Sequence, residues 1–243
     1  LSGLRLVLPH ARSWINGNKE LEASEAFNIS QKAGELVDIV AERDMDIITS
    51  ETMVDRLAAV VTMLKKLEHD ENGFFYNYYY VPSSDAIDQI ETIAPIPQTG
   101  EALVNGTKQT VTGEFVSSLD NGLLDIALEG VREALRSIES ADLGEEQSRQ
   151  VEAILQDIDA MLAARNYAVF ASAEGMSHGY YTVINMSEKP VSPFHYSNWG
   201  SEARAVVAYA EAKGALPVGT FARLNASLIM NGNGTVQTIM PDD

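Results

Sequence analysis

The chain has 243 residues, of which 45% are hydrophobic and 21% charged, as in an ordinary globular domain with a substantial core. Its 35 acidic and 17 basic residues give a formal net charge of −18, which argues against nucleic acid or an anionic membrane surface as a partner. There is no cysteine, which excludes disulfides, thiolate catalysis and cysteine-ligated zinc, and no apolar run approaches the roughly 20 residues of a membrane-spanning helix.

The first half of the chain predicts two amphipathic helices followed by an aromatic segment. Residues 24–44 and 50–68 carry apolar side chains near a 3.6-residue period, which is typical of helices with one buried face. The sequence NGFFYNYYYV at 72–81 opens on Asn-Gly and favours β structure. Residues 82–113 are polar and contain three prolines and three glycines, so we expect a long loop with little regular structure there.

Helices dominate the second half. A short hairpin is predicted from YAVFAS and SHGYYTVINM, which are split by Glu174 and Gly175. We find no internal sequence repeat. The pattern predicts a mainly α fold over residues 1–243, either an array of helical hairpins or a toroid, with small β-hairpin inserts. The further helices are predicted at 115–137, 145–165, about 201–213 and 217–229.

Motifs for metal, nucleotide or serine chemistry are not found in the sequence. No two histidines are spaced i, i+4, so a zinc site would need three distant segments to converge. There is no glycine-rich phosphate loop and no Gly-x-Ser-x-Gly motif. We therefore expect no metal site and no cofactor. The histidines concerned are His10, His69, His178 and His195.

The aromatic segment GFFYNYYY allows two interpretations. Strand alternation would place Phe74, Tyr76, Tyr78 and Tyr80 on one face, and one such face can belong to the core of a half-buried hairpin. Tyrosine hydroxyls need partners when buried, however. A tyrosine-rich surface beside acidic residues suits a neutral sugar, because its apolar CH faces stack on rings and its hydroxyls bond to carboxylates.

Two further clusters combine a carboxylate with a predicted helix start. SSLDNGLL at 117–124 contains Asp120 and Asn121, and Glu202 follows Tyr196 and Trp199 in HYSNWGSEAR. Taken singly, each carboxylate is explained as a first-turn acid, since the helix dipole stabilises it by about 0.3–1 kcal/mol. The alternative is that these carboxylates do chemistry.

Together and in this order, the segments GFFYNYY, EFVSSLDNGLLDIAL and HYSNWGSEARAVVAYAEAKGALP resemble the conserved blocks of the glucoamylase-like superfamily. This superfamily comprises bacterial (α/α)6-toroid proteins that include endo-β-1,2-glucanases. The resemblance covers roughly residues 50–229, and Asp120 and Glu202 stand 202 − 120 = 82 positions apart in it. A full toroid has twelve helices, and this chain supplies about half of them. We therefore expect a partial toroid or a short relative.

The resemblance implies a glycoside hydrolase that acts on a glucan in a cleft lined by loops and helix starts. Glu202 is then the candidate proton donor and Asp120 the second candidate catalytic residue. The implied partner is an oligo- or polysaccharide, and an extracytoplasmic location is favoured; the oligomeric state is left open. Two alternatives are a non-catalytic glycan-binding or cell-envelope domain on the same fold and a purely structural helical array. The implied substrate-binding residues are Tyr76, Asn77, Asn121, Tyr196, Trp199 and Arg204.

Overall fold

The computed structural model contains five α-helices in the part of the chain that it describes. They are α1 (Ile29–Asp44), α2 (Ser50–Lys66), α3 (Ser118–Arg136), α4 (Glu145–Ala163) and α5 (Ala203–Ala212). Helices outweigh strands, which confirms a mainly α fold. The described residues are 26–80, 91–138, 143–173, 175–183, 186, 189–196, 202–224, 228–230 and 236–238.

Within the described ranges, short antiparallel strands before, between and after the helices form four small sheets. β3, β4 and β7 make one three-stranded sheet, and β5, β6 and β8 make another. β1 pairs with β2, and β9 pairs with β10. The strands are β1 (Ala26–Asn28), β2 (Tyr78–Tyr80), β3 (Gln98–Val104), β4 (Thr107–Ser117), β5 (Ala171–Ser172), β6 (Gly175–Ser177), β7 (Gly179–Thr182), β8 (His195–Tyr196), β9 (Leu228–Met230) and β10 (Val236–Thr238).

Local sequence explains where the long helices begin. Asn28 and Gln31 form a reciprocal capping box at the start of α1. The hydroxyl of Thr49 accepts from the Thr52 amide at the start of α2, and Ser117 caps α3. Each cap satisfies an amide that the first turn of a helix leaves without a partner, so the residues that start these helices are set by local sequence.

The helices pack in two layers. α1 packs against α3 and α3 against α5, whereas α2 packs against α4. Helices that follow one another in the chain lie in different layers. α1 contacts α2 in this way, and α3 contacts α4. An ion pair between Lys65 Nζ and Asp157 Oδ1, 2.8 Å apart, joins α2 to α4. The buried apolar side chains of all five helices belong to one core.

Two sequence predictions require correction. Part of the long loop expected over 82–113 is instead the hairpin of β3 and β4, which turns at Asn105 and Gly106. Both turn residues have positive φ, 51° and 73°, as a two-residue hairpin turn requires, and Asn-Gly is its strongest sequence signal. Residues 98–104 and 107–113 lie on either side of that turn signal and pair as strands. Their high polarity had indicated a loop. The remainder of this stretch includes residues outside the described ranges.

The helix expected over 217–229 is also not formed as such. Among the described residues of this stretch, 217–224 and 228–229, the helical part is a single 3₁₀ turn, Phe221–Arg223, and β9 begins at Leu228. Gly219 has a φ of 85°, which interrupts a right-handed helix. The carboxylate of Glu211 in α5 accepts from the amides of Gly219 and Phe221, each at 2.7 Å, and so provides partners without a helix. The neighbouring prediction at 201–213 is realised as α5.

The starts of α1, α3 and α5 lie at one end of the helical layers. The Ile29 amide donates to the Asn77 carbonyl at 3.1 Å, and the Asn77 amide donates to the Phe115 carbonyl at 2.7 Å, just before α3. α5 joins this end because Val206 packs against Gly122 in the first turns of α3. In the described part of the chain, no helix combines the length and apolar character needed to cross a lipid bilayer.

Candidate functional site

The aromatic segment belongs to the core. Phe74, Phe75, Tyr76 and Tyr79 are all buried, and Tyr78 is the ring of this run that is exposed. Strict alternation fails because strand geometry begins only at Tyr78, in β2. The buried tyrosine hydroxyl of Tyr79 donates to the Glu68 carbonyl and accepts from the Tyr76 amide. Of the two interpretations, the half-buried segment is the one observed.

Asn77 and Asn121 hold this segment against the helix starts. The Asn121 side chain is fully buried and donates from Nδ2 to the carbonyls of Phe75 and Ser117, both at 2.8 Å. Its Oδ1 accepts from the Phe75 amide at 2.9 Å. The Asn77 side chain accepts from Asn28 at 2.8 Å. These amides, like Tyr76, therefore support the end of the fold where the helices begin.

The two candidate carboxylates stand at neighbouring helix starts. Asp120 lies in the first turn of α3 and is partly exposed, and the exposed Glu202 immediately precedes α5. α3 and α5 approach closely at this level, because a Cβ placed on Gly122 would lie only 2.1 Å from Val206 Cγ1. Residues that are 82 positions apart in the sequence are thus brought to the same end of adjacent helices.

Tyr196 lies within electrostatic reach of both carboxylates. Burial raises the pKa of the Tyr196 hydroxyl, and the negative charge of Asp120 raises it further; the Ser118 hydroxyl lowers it, and Glu202 raises it by the smallest of these effects. The phenol therefore stays protonated at any ordinary pH and can donate a hydrogen bond. Asp120 and Glu202 thus stand at neighbouring helix starts, each within electrostatic range of the Tyr196 hydroxyl, and we call these three side chains the carboxylate cluster.

His178 completes this surface, although the sequence indicated it only as an unpaired histidine. Its ring stacks on Tyr196 with centroids 4.2 Å apart and an interplanar angle of 24°. Its amide donates to the Phe194 carbonyl at 2.9 Å, and its carbonyl accepts from the Ser118 amide at 3.0 Å. Burial lowers the pKa of His178, and positive charge on His195 lowers it further. The ring is therefore kept neutral and stacked.

Two other predicted residues remain at the margin of the site. Arg204 is exposed in the first turn of α5. Trp199 lies outside the described residues. Among the residues that the structure describes, no group of three histidine, aspartate or glutamate side chains is arranged to hold a metal ion. Two cavities of about 420 and 330 Å³ lie away from the carboxylate cluster, at the α1–α2 turn and beside the C-terminal end of α5.

A buried carboxylate fixes the strands that carry the site. Asp70 is 5% exposed and accepts from the hydroxyl of Tyr180 at 2.5 Å, from Lys189 Nζ at 2.8 Å and from the Phe74 amide at 3.0 Å. Burial alone would raise the pKa of Asp70, but these donors together with Asn72 hold it below its ordinary value. The ionised carboxylate thus ties β7 to the end of α2.

A second buried carboxylate, Asp125, joins α3 to the segment after α4. It is fully buried, and it accepts from Arg165 Nε at 3.1 Å and from the Tyr167 hydroxyl at 2.7 Å. Arg165 is 2% exposed at its side chain and lies over the Phe75 ring, 4.7 Å from its centroid. The pair is a structural support one turn below the carboxylate cluster.

Comparison with known proteins places this fold. No model of a known protein family matches the chain, and no curated protein does. The endo-β-1,2-glucanase from Chitinophaga pinensis, solved with sophorotriose and glucose, superposes with a TM-score of 0.54 and 13% identity over 93% of this chain and 48% of the glucanase. A putative glucoamylase from Bacteroides caccae gives a TM-score of 0.45 and 14% identity over 68% of this chain and 33% of its own.

The chain therefore spans about half the length of the glucanase that it matches. At this level of identity the likeness concerns the fold and not the activity. The resemblance that the three sequence segments indicated is confirmed at that level: over 93% of its residues the chain shares the fold of the C. pinensis endo-β-1,2-glucanase, a fold of the glucoamylase-like type.

Proposed function

We propose that this protein is carbohydrate-active and that it is a glycoside hydrolase, which cleaves a glucan by acid–base catalysis. The observation that carries the proposal is the placement of Asp120 and Glu202 at the starts of two helices, α3 and α5, that pack closely through Gly122 and Val206. Glycoside hydrolysis needs two carboxyl groups, one to protonate the leaving oxygen and one to activate water or attack the sugar. The cluster supplies both kinds of group at one end of the helical layers.

In this proposal Glu202 is the proton donor and Asp120 is the second carboxylate. Tyr196 remains protonated and donates to a sugar oxygen or to one of the two carboxylates. Arg204, which is exposed in the first turn of α5, adjoins them as a candidate sugar-binding residue, and Trp199 stays a prediction from the sequence. The deeper residues Tyr76, Asn77 and Asn121 act as supports, because their side chains are buried or bonded within the fold.

A neutral polymer is the substrate class that fits the charge of the chain. The net charge of −18 disfavours anionic ligands, whereas a glucan carries no charge and offers hydroxyls to the carboxylates. The fold likeness to an endo-β-1,2-glucanase makes β-1,2-glucan the first substrate to try.

The two-layer packing also supports the finer description of the fold that we propose. α1, α3 and α5 would be inner helices of an (α/α)6 toroid, and α2 and α4 would be outer ones. The chain covers 48% of the glucanase, which fits about half of such a ring. The alternative function is a non-catalytic glycan-binding domain on the same fold. It would apply if the catalytic groups came from the other half of such a ring.

A reducing-sugar assay over a panel of glucans tests the proposal. We expect the wild type to release reducing ends from at least one glucan, and Glu202→Gln and Asp120→Asn each to lower the rate by about 10²–10⁴-fold. Glu145→Gln at the start of α4 is the matched control, because it is also an exposed first-turn carboxylate, and it should leave the rate unchanged.

The outcomes separate the two functions. Unchanged cleavage by Glu202→Gln would remove Glu202 from the mechanism. Binding of a glucan by the wild type, measured by calorimetry, without any cleavage would favour the glycan-binding alternative. If the wild type neither binds nor cleaves any glucan of the panel, both functions are contradicted.

A further inference from the structure

We infer that Tyr196, His178 and Phe194 form an aromatic strip that binds glucan units beyond the one held at the carboxylate cluster. The inference rests on the proposed function and deepens it, because it assigns a subsite to His178 and Phe194. The three rings are consecutive in space: the His178 ring lies 4.2 Å from Tyr196 and 5.8 Å from Phe194, centroid to centroid.

The strip has a polar end and an apolar end. Its inner end is the Tyr196 hydroxyl, which Asp120 and Glu202 influence. Its outer end is Phe194, whose side chain is 50% exposed although phenylalanine is strongly apolar. A polymer held with one sugar at the carboxylates would pass along the edges of the stacked Tyr196 and His178 rings to Phe194, the most exposed of the three, whose apolar surface can pack on the CH face of a sugar.

Backbone contacts hold the strip in a fixed position relative to α3. The His178 amide and carbonyl bond to Phe194 and to Ser118, the first residue of α3. The Ser118 hydroxyl donates to the Ser177 carbonyl at 2.6 Å. Gly179 allows this close passage, since it has a φ of 151° and a Cβ there would lie 2.1 Å from the Val116 carbonyl oxygen. A preorganised surface of this kind binds with little loss of conformational freedom.

Phe194 is not an isolated hydrophobic residue on the surface, because it has specific neighbours. Its backbone and ring both contact His178, and Lys108 Nζ lies 5.5 Å from the centroid of its ring. The ammonium offers donors to sugar hydroxyls beside an apolar face. A neutral sugar chain uses both features, and continuity with the carboxylate cluster favours it over an apolar peptide.

Binding measurements that depend on chain length test this inference. The probes are β-1,2-linked gluco-oligosaccharides of two to six units, titrated by calorimetry into Glu202→Gln protein so that they are not cleaved. We expect Phe194→Ala to weaken binding of the longer oligosaccharides about tenfold, while the disaccharide changes less than about twofold, because a lost ring contact of this size is worth roughly one order of magnitude. Phe194→Trp should restore binding.

Val218→Ala is the control, because Val218 is a 91% exposed apolar residue in the segment that follows α5. Thermal unfolding of each variant shows that the fold is retained. If Phe194→Ala leaves the affinity for every oligosaccharide unchanged, or lowers it equally for all lengths, the proposed aromatic subsite is wrong. Cleavage by the wild type would then still support the proposed function. If the parent binds none of the oligosaccharides and the wild type cleaves none, the proposed function and the strip fail together.

Discussion

The Val206 side chain in α5 occupies the space that a side chain on Gly122 in α3 would need. A Cβ on Gly122 would lie 2.1 Å from Val206 Cγ1, far inside van der Waals contact. Glycine at this position costs helix stability, and what it provides is the close approach of the two helices. The separation of Asp120 and Glu202 depends on that approach, since each stands within a turn of the contact.

We therefore expect Gly122→Ala to lower the free energy of unfolding by about 1–3 kcal/mol through overpacking. It should also lower any activity of the carboxylate cluster, because α5 must move away from α3. Gly130→Ala is the matched control on the same helix, where a Cβ would meet nothing within 4 Å. That change should raise the stability by about 0.5–1 kcal/mol. Urea unfolding of both variants measures the difference, and equal effects of the two would contradict this account.

The buried pair of Asp125 and Arg165 gives a second prediction. Asp125→Asn leaves the Arg165 charge buried with a weakened partner, so we expect a loss of about 3–5 kcal/mol. The double variant Asp125→Leu with Arg165→Met should recover much of that loss, because an apolar pair of similar size removes both buried charges. A double-mutant cycle of Asp125→Leu, Arg165→Met and their combination, followed by urea unfolding, measures the coupling, and strictly additive losses would show that the two charges act independently.

Asp70 predicts how stability depends on pH. Its pKa is lowered in the folded protein, whereas in the unfolded chain it titrates near its ordinary value of about 3.9. The unfolded chain therefore binds the proton first, so the contribution of Asp70 is complete above that value and is lost as pH falls through the folded pKa.

Asp70→Asn should accordingly lower the stability at neutral pH and flatten its decline between about pH 5 and pH 2. Chemical unfolding at a series of pH values shows this as two curves that converge on acidification. Two parallel curves would mean that the carboxylate does not contribute through its ionisation.

The helices were predictable because their signals are local. Residues 24–44 and 145–165 have the apolar period of ordinary helices, and α1 and α4 form within those ranges. The helix expected at 217–229 failed for a tertiary reason, because the Glu211 carboxylate from α5 takes the amides of that segment. The hairpin at 98–117 was missed since its polarity outweighed the Asn-Gly turn signal.

The candidate site was predictable only in part, for the same reason. A carboxylate before a helix is visible in the sequence, so Asp120 and Glu202 could be singled out. Their convergence on Tyr196 depends on the contact of α3 with α5, which no local pattern encodes. The burial of Tyr76 was missed because the segment leaves strand geometry before Tyr78, so alternation did not apply.

The junction at Asn77 has a consequence for the order of folding. Its bonds join the start of α1 to the strand that leads into α3, and the Asn28 and Asn77 side chains that meet there are 49 positions apart. Contacts over such separations form late, because the intervening chain must first lose its freedom. The helices can thus persist after the junction opens, and the end of the molecule that carries Asp120, Tyr196 and Glu202 would come apart first. During gradual denaturation, ligand binding should therefore disappear while most of the helical circular dichroism remains.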